Sequence, residues 1–319
     1  MVHHLRPPHH DELAAVSALV LDAEIADEVP ERTTLEGLLE DLSVPYFDLR
    51  YDARVVEGSD GSLIGWIWVW NPQAGPNEDR CYLFGAVHPA RRRQGVGRCL
   101  LKWGIDRARE RHRDRSSSVE HTIRTRCFDF QESARRLYEH AGMQEVRWFE
   151  DLMRPLVEPA HLPEPTGVRI DPWPESRDAE LLEVRNAGFA DHWGSTPVDA
   201  GTWHSMVRGV NSRPDLSFIA TDIETEAAVG ICLNEAYPQE CVAAGRQEAW
   251  IGTLATLGSH RRRGIASSLI ARSLDCFTDA GFTHALIGVD AESLTGAARL
   301  YRSLGFEVTM RSITWQLPS

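Results

Sequence analysis

A basic, glycine-containing run occurs twice in this chain, and the duplication limits the fold more than any other feature. The first copy is Val87-His88-Pro89-Ala90-Arg91-Arg92-Arg93-Gln94-Gly95-Val96-Gly97, and the second is Thr256-Leu257-Gly258-Ser259-His260-Arg261-Arg262-Arg263-Gly264-Ile265-Ala266. Each follows a short apolar run and opens an amphipathic stretch, so each reads as strand, basic loop and helix start. A helix N-terminus leaves backbone N–H groups unpaired and carries partial positive charge, and glycine lets that backbone approach an anion closely. Arginines just upstream add directional donors for phosphate oxygens. The downstream sequence repeats as well, with Ala134-Arg135-Arg136-Leu137-Tyr138 and Gly142-Met143 answered by Ala297-Ala298-Arg299-Leu300-Tyr301 and Gly305-Phe306. Gly95 and Gly264 stand 169 residues apart, and Tyr138 and Tyr301 stand 163 apart. The six extra residues of the first copy fall most simply in the polar stretch 111–120. An internal duplication of one phosphate-binding module is the economical reading.

At 319 residues the chain is long enough for two domains that each bury a core. Pro155, Pro159, Pro163, Pro165, Pro172 and Pro174 mark the boundary in a run poor in strongly apolar residues. The expected division is an N-terminal domain over 1–156, a proline-rich linker over 157–166 and a C-terminal domain over 167–319. A formal charge of −13 argues against general nucleic-acid binding. No apolar run approaches a membrane span and no signal segment opens the sequence, so a cytoplasmic protein without a membrane partner is expected. The six cysteines, at 81, 99, 127, 232, 241 and 276, show no framework or metal-ligand spacing and read as reduced thiols. His3, His4, His9 and His10 straddle a strand end and two prolines; they read as surface residues, and no metal site is expected.

Hydrophobic periodicity gives the same element order in both copies. In the first, strands are expected over 2–6, 47–57, 63–70, 81–87 and 123–128, with helices over 11–22, 97–113 and 131–141 and a last strand pair ending near Arg154. Gly58-Ser59-Asp60-Gly61 supplies turn chemistry for a hairpin. In the second, strands are expected over 168–170, 218–222, 228–234, 249–256, 283–289 and 306–317, with helices over 179–189, 264–280 and 295–304. The expected fold class is α/β: two tandem domains, each a mixed, mostly antiparallel sheet with helices on both faces.

Two familiar glycine loops are excluded. A P-loop needs Lys-Ser or Lys-Thr after its last glycine, whereas Gly97 is followed by Arg98-Cys99 and Ala266 by Ser267-Ser268. A dinucleotide fingerprint needs a third small residue where Leu100 stands. What remains is Arg-x-x-Gly-x-Gly/Ala between strand and helix, with Leu-Tyr-x-x-x-Gly-Phe/Met about forty residues later. That combination resembles the GNAT acyltransferase superfamily over essentially the whole chain, as two tandem domains.

The resemblance implies that each loop cradles the pyrophosphate of acetyl-CoA, through Arg92, Arg93, Gln94, Gly95, Val96 and Gly97 in the first domain. In the second, the matching residues are Arg261, Arg262, Arg263, Gly264, Ile265 and Ala266. Ala86 and Val87, and likewise Leu254, Ala255 and Thr256, would line the cofactor along the preceding strands, with a backbone N–H there polarising the thioester oxygen. Tyr138 and Tyr301 match the family's tyrosine beside the CoA sulfur, where a phenol can donate to a departing thiolate. The family's strand glutamate is missing, because six residues ahead of Val87 and Thr256 stand Cys81 and Trp250. Glu248, two residues earlier on the same side by strand parity, is then a candidate base, with Asp79 as its counterpart; Asp290 and Glu292 follow the next strand. The asparagine expected before the tyrosine helix is also missing, with Ser293 and Phe130 in its place. Asp191, His192 and Trp193, followed by Trp203 and His204, are candidate acceptor-binding residues. Residues 22–41 of the first domain carry eight carboxylates and one arginine, a solvated acidic surface or an attractor for a cationic amine.

The function implied is N-acetyl transfer from acetyl-CoA to a primary amine of a small molecule by direct attack, by a monomer or homodimer, with the second domain catalytic. The tandem layout is similar to that of mycothiol synthases and antibiotic N-acetyltransferases. A peptide or protein acceptor, and a CoA-binding regulator without turnover, are the alternatives.

Overall fold

The computed structural model describes residues 3–318 except 76, 77, 116, 117, 159, 161, 164, 175, 294 and 295. The expected parts of Val2 in the first strand, Pro159 in the linker, Thr295 in the last helix and two residues of the 111–120 stretch lie outside the described residues. The chain forms two compact units, residues 1–148 with 312–319, and residues 149–311.

The first unit contains β1 (Leu5–Arg6), α1 (Leu13–Ala26), α2 (Leu35–Asp41), α3 (Leu49–Asp52), β2 (Ala53–Glu57), β3 (Leu63–Trp70), β4 (Glu78–Val87), α4 (Val96–Arg115), β5 (Glu120–Phe128) and α5 (Glu132–His140). Next comes β6 (Gln144–Pro155), whose residues from Phe149 onward belong to the second unit. That unit continues with β7 (Val168–Pro172), α6 (Asp178–Gly188), α7 (Ala200–Arg208), β8 (Phe218–Asp222), β9 (Ala228–Glu235), α8 (Pro238–Ala244), β10 (Glu248–Thr256), α9 (Ile265–Asp279), β11 (His284–Asp290) and α10 (Ala297–Ser303). The last strand, β12 (Glu307–Leu317), returns to the first unit from Ser312.

The strands of each unit follow one plan. In the first unit β1, β2, β3 and β4 pair antiparallel in sequence order, β4 runs parallel to β5, and Ser312–Leu317 of β12 closes the sheet against β5. In the second, β7, β8, β9 and β10 pair antiparallel, β10 runs parallel to β11, and Phe149–Pro155 of β6 closes the sheet. The expected α/β class with a mixed, mostly antiparallel sheet is what forms. The units divide the chain after Trp148 and after Arg311, where the sequence reading divides it at the proline-rich run. The ladders give the reason: residues 149–155 find their partners on β11, and 312–317 find theirs on β5.

Helix α4 buries Val96, Leu100, Leu101, Ile105 and Ala108, and α9 buries Ile265, Leu269, Ile270, Leu274 and Phe277. Each of these side chains larger than alanine contributes about 2 kcal/mol of burial. The faces are distinct in the second unit: α9 and α10 pack with Ala249, Ile251, Ile287 and Val289, while α6 and α7 pack with Ile231, Leu233 and Ala255.

One expected strand is shorter than read. Residues 47–52 do not extend β2, because the Asp48 carboxylate caps Arg50 N–H and starts the helical turn α3. Asp52, fully buried, then receives Asp48 N–H and the guanidinium groups of Arg107 and Arg111. Helices α2, α7 and α8 also lie in stretches that the periodicity leaves unassigned. The 58–61 hairpin forms as expected, with Gly61 at φ 81° in a left-handed turn.

Candidate active site

Both basic loops adopt the same backbone. Arg93 and Gly95 have φ of 61° and 87°, and Arg262 and Gly264 have 62° and 83°. Left-handed residues separated by one position turn successive N–H groups toward one side, an anion-binding concavity. The next residue, Val96 or Ile265, is 1 % exposed in both copies and pins the helix start to the core. Gly264 is the N-cap of α9 and offers no side-chain cap to its first N–H groups.

The arginines divide their work. Arg93, Arg262 and Arg263 are exposed on the loop. Arg92 and Arg261 turn back instead. Arg92 pairs with Asp27 at the end of α1, and Arg261 bonds Asp191 at 2.9 Å and the Gly188 carbonyl at the end of α6. The Nε groups also stand 3.4 Å from the Val87 and Thr256 carbonyls. These two arginines therefore brace each loop against the first helix of its unit. Asp27 additionally accepts from Gln131 at 3.1 Å, and Gln131 Oε1 accepts Phe128 N–H. Gln94 is exposed, and its carbonyl meets the His3 ring at 2.8 Å.

Below each loop the parallel strands part. β4 pairs with β5 only from Glu78 to Tyr82, and β10 pairs with β11 only from Glu248 to Ile251. In the first unit the gap opens a groove of about 1290 Å³ lined by Ala86, Val87, Arg93, Gly95, Gly97 and Tyr138. The Tyr138 hydroxyl lies 3.4 Å from Thr125 Oγ1, which donates to the Leu83 carbonyl, and burial pushes the phenol up to about 12. Tyr301 occupies the matching place on α10, 7 % exposed, with its ring 6.4 Å from Phe306. Burial raises its phenol above the ordinary value. At neutral pH it therefore stays protonated, and its hydroxyl can donate a hydrogen bond.

The strands differ at one residue. β4 runs against β3 in unbroken register from Val87 to Tyr82. β10 shifts register against β9 between Ile251 and Thr253, leaving Gly252 as the extra residue of a bulge. Gly252 is thus outside the β9 ladder, and its neighbour Ile251 is the last residue paired to β11. The bulge also reverses side-chain parity. Cys81 packs under α4 in the core, whereas Trp250 faces the α6–α7 side opposite Glu235. Counting six residues back from each loop therefore compares residues on opposite faces; the true counterpart of Trp250 is Tyr82. Asp79 is likewise no counterpart of Glu248. It is fully buried, bound to His112 at 2.7 Å, Arg115 at 2.9 Å and Asn71 at 3.1 Å.

On the α6–α7 face of the second unit stand Glu248, Trp250 and Glu235. Glu248, 6 % exposed, is paired with Arg246 at the far end of β10. Asp290, 3 % exposed at the end of β11, accepts Glu292 N–H at 3.0 Å, and Ser293 N–H bonds the Asp290 carbonyl. A third carboxylate on this face, Glu235, is not singled out by the sequence. It ends β9 as the cross-strand partner of Trp250, and Tyr237 donates to its Oε2 at 2.6 Å. The signal was the position of Trp250 itself, whose neighbour across the ladder can carry a carboxylate to the same place.

Leu254 lies on the α9 side and Ala255 on the α6 side of β10, with Thr256 at the loop entrance. Of the acceptor candidates, Asp191 engages Arg261, the His192 ring meets the Trp193 carbonyl at 2.9 Å, and Trp193 approaches Phe149 at 6.3 Å. Trp203 is a core residue, 3 % exposed against Trp173, and His204 is exposed. Phe130 is exposed and stacks on Phe128. Among the described residues no group of His, Cys, Asp and Glu could hold a metal, and no helix is long and apolar enough to cross a membrane.

The geometry agrees with what the chain is similar to. A mycothiol acetyltransferase of Salinispora arenicola is 27 % identical over 321 residues, covering 98 % of this chain and 94 % of that one. One from Thermomonospora curvata is 29 % identical over 242 residues, 73 % of this chain and 72 % of that one. Among solved structures, a GCN5-related N-acetyltransferase from Sphaerobacter thermophilus superposes with a TM-score of 0.75 at 27 % identity, covering 98 % and 95 % of the two chains. A tandem GNAT protein from the clavulanic acid biosynthesis pathway shares the fold at a TM-score of 0.72 and 18 % identity, over the full length of both. The acetyltransferase (GNAT) family model matches residues 23–143 and again 179–306, so the chain belongs to the GNAT family of acyl-CoA N-acyltransferases as a tandem member.

Proposed function

We propose that the second unit transfers an acetyl group from acetyl-CoA to a primary amine of a small molecule by direct attack, and that the first unit binds CoA without turning over. The bulge at Gly252 carries this reading. A bulge residue outside its ladder offers a backbone N–H to a thioester oxygen at the point where the strands part, and such a donor is worth about 100-fold or more in rate. Tyr301 stands on the α9–α10 side of the sheet and the carboxylates on the α6–α7 side. A donor for the leaving sulfur and an acceptor for the amine proton thus stand on different faces of the sheet, so both can act on one bound thioester without competing for space. The relatives named mycothiol acetyltransferase favour a small-molecule acceptor over a protein. Six free cysteines suit the cytoplasm, where acyl-CoA is also available. The test is mass spectrometry of acetyl transfer from acetyl-CoA to a panel of amine metabolites, amino sugars, aminoglycosides and peptides. Acetylation of peptides alone would overturn the small-molecule acceptor, and no acetylation at all would overturn transfer.

A further inference from the structure

We propose that Glu235 is the general base of the second unit, the group that takes the proton from the attacking amine. The proposal rests on reading the second unit as the one that transfers.

Glu235 supplies from the neighbouring strand a carboxylate that β10 lacks at Trp250. Its carboxylate lies directly against the bulge: a Cβ placed on Gly252 would come within 2.6 Å of Glu235 Cδ and closer still to Oε1. Real Cβ contacts are never that short, so glycine at 252 is the condition for the carboxylate to sit there. Gly252 keeps ordinary negative φ, which leaves close approach, not backbone conformation, as the reason for a glycine. The Tyr237 hydroxyl holds Oε2 at 2.6 Å and fixes the rotamer.

The two other carboxylates considered above have partners at the strand ends. Glu248 is paired with Arg246, and Asp290 anchors the turn after β11 through Glu292 N–H. Glu235 is also the carboxylate next to the point where β10 leaves β11, and it lies on the opposite face from Tyr301. The first unit has no equivalent, since the partner of Tyr82 on β3 is Trp70.

The step balances as follows. The substrate ammonium loses one proton to Glu235, directly or through one water, and the free amine nitrogen bonds to the thioester carbon. The C–S bond breaks with its electron pair on sulfur, and the nitrogen loses its second proton as the amide forms. One proton ends on sulfur by way of Tyr301 and the other passes to solvent. The net reaction converts acetyl-CoA and an ammonium into an acetamide, CoA thiol and a proton.

The experiment uses the full-length chain with two nucleophiles, a primary amine that is protonated at pH 7.5 and hydroxylamine, which is already neutral there. Glu235→Gln keeps the Tyr237 bond but cannot accept a proton. It should lower kcat for the protonated amine about 100-fold, leave acetyl-CoA affinity unchanged, and spare the hydroxylamine reaction. The amine rate should recover as pH rises. Gly252→Ala, whose methyl group must displace the carboxylate, should give the same pattern independently. Equal loss with both nucleophiles would overturn the base role in favour of a structural one. Normal amine turnover by Glu235→Gln, with the loss at Glu248→Gln or Asp290→Asn, would move the base. If the unsubstituted chain acetylates neither nucleophile, the transfer reading itself falls, and Glu235 with it.

Discussion

Strands β4 and β10 occupy the same place in two copies of one fold, and a single extra residue separates them. In β4 the ladder to β3 is continuous, with Trp70 opposite Tyr82. In β10 the ladder breaks at Gly252, and Glu235 stands opposite Trp250. The loops above them are alike to within a few degrees of φ, so the loop geometry is common to both copies while the bulge and the carboxylate beside it stand in one.

The units also differ in how their buried polar groups are satisfied. The first buries charges: Asp52 between Arg107 and Arg111, and Asp79 among His112, Arg115 and Asn71. The second also buries charges, Glu248 with Arg246 and Glu150 with Arg302 and Arg311, and adds a neutral cluster in which Asn234 bonds Ser273 at 2.9 Å and the Ser217 hydroxyl at 2.8 Å, with Cys232 beside Ser273. Buried ion networks are more exposed to pH than neutral ones.

The comparison breaks most sharply at Gly252. Deleting it gives β10 the register of β4 and should lower transfer about 1000-fold by removing the bulge N–H, with CoA still bound. Transfer at an undiminished rate would show that the bulge has no part in the chemistry.

Acid should separate the units next. Burial pushes the Asp79 carboxyl up, but His112, Asn71 and Arg115 outweigh it and hold the group below its ordinary value. Its stabilising contribution is therefore complete above the ordinary carboxylate range and is lost as pH falls through the folded value. Burial, followed by His112, lowers His121, so the unfolded chain gains a proton first as pH falls below about 6.5. Both effects weaken the first unit in acid. Hydrogen exchange between pH 7.5 and 4 should show its amides losing protection before those of the second unit, and the reverse order would contradict this ion-network account.

The smallest expected effect concerns the cofactor loops. Arg93→Glu and Arg262→Glu should each weaken one of two CoA sites about 10-fold, by placing a carboxylate beside the pyrophosphate. Calorimetry that finds a single site, lost only with Arg262→Glu, would remove the first unit from CoA binding.

Much of this was legible in the sequence. The repeated Arg-x-x-Gly-x-Gly/Ala run located both loops, and Leu-Tyr-x-x-x-Gly located both tyrosine helices, because these are local patterns. Strand register is not local. A one-residue bulge turns Trp250 to the face opposite that of Cys81, so a count of six from the loop compared unlike positions. Glu235 stayed hidden because its relation to Trp250 runs across the ladder and not along the chain. The braces from Arg92 to Asp27 and from Arg261 to Asp191 were equally invisible, since each joins residues at least 65 apart in sequence. The Asp48 cap that shortens β2 was a local signal, and alternation of apolar residues over 47–57 masked it.

The central claim is that one copy transfers and the other only binds. Its most direct measurement is steady-state acetyl transfer by Tyr301→Phe and Tyr138→Phe, each of which keeps the ring and deletes the donor. The expected result is a fall of about 100-fold in kcat for Tyr301→Phe, with Tyr138→Phe within about twofold of the unsubstituted chain and both folded normally. Normal turnover by Tyr301→Phe together with a large loss in Tyr138→Phe would contradict it and assign the chemistry to the first unit.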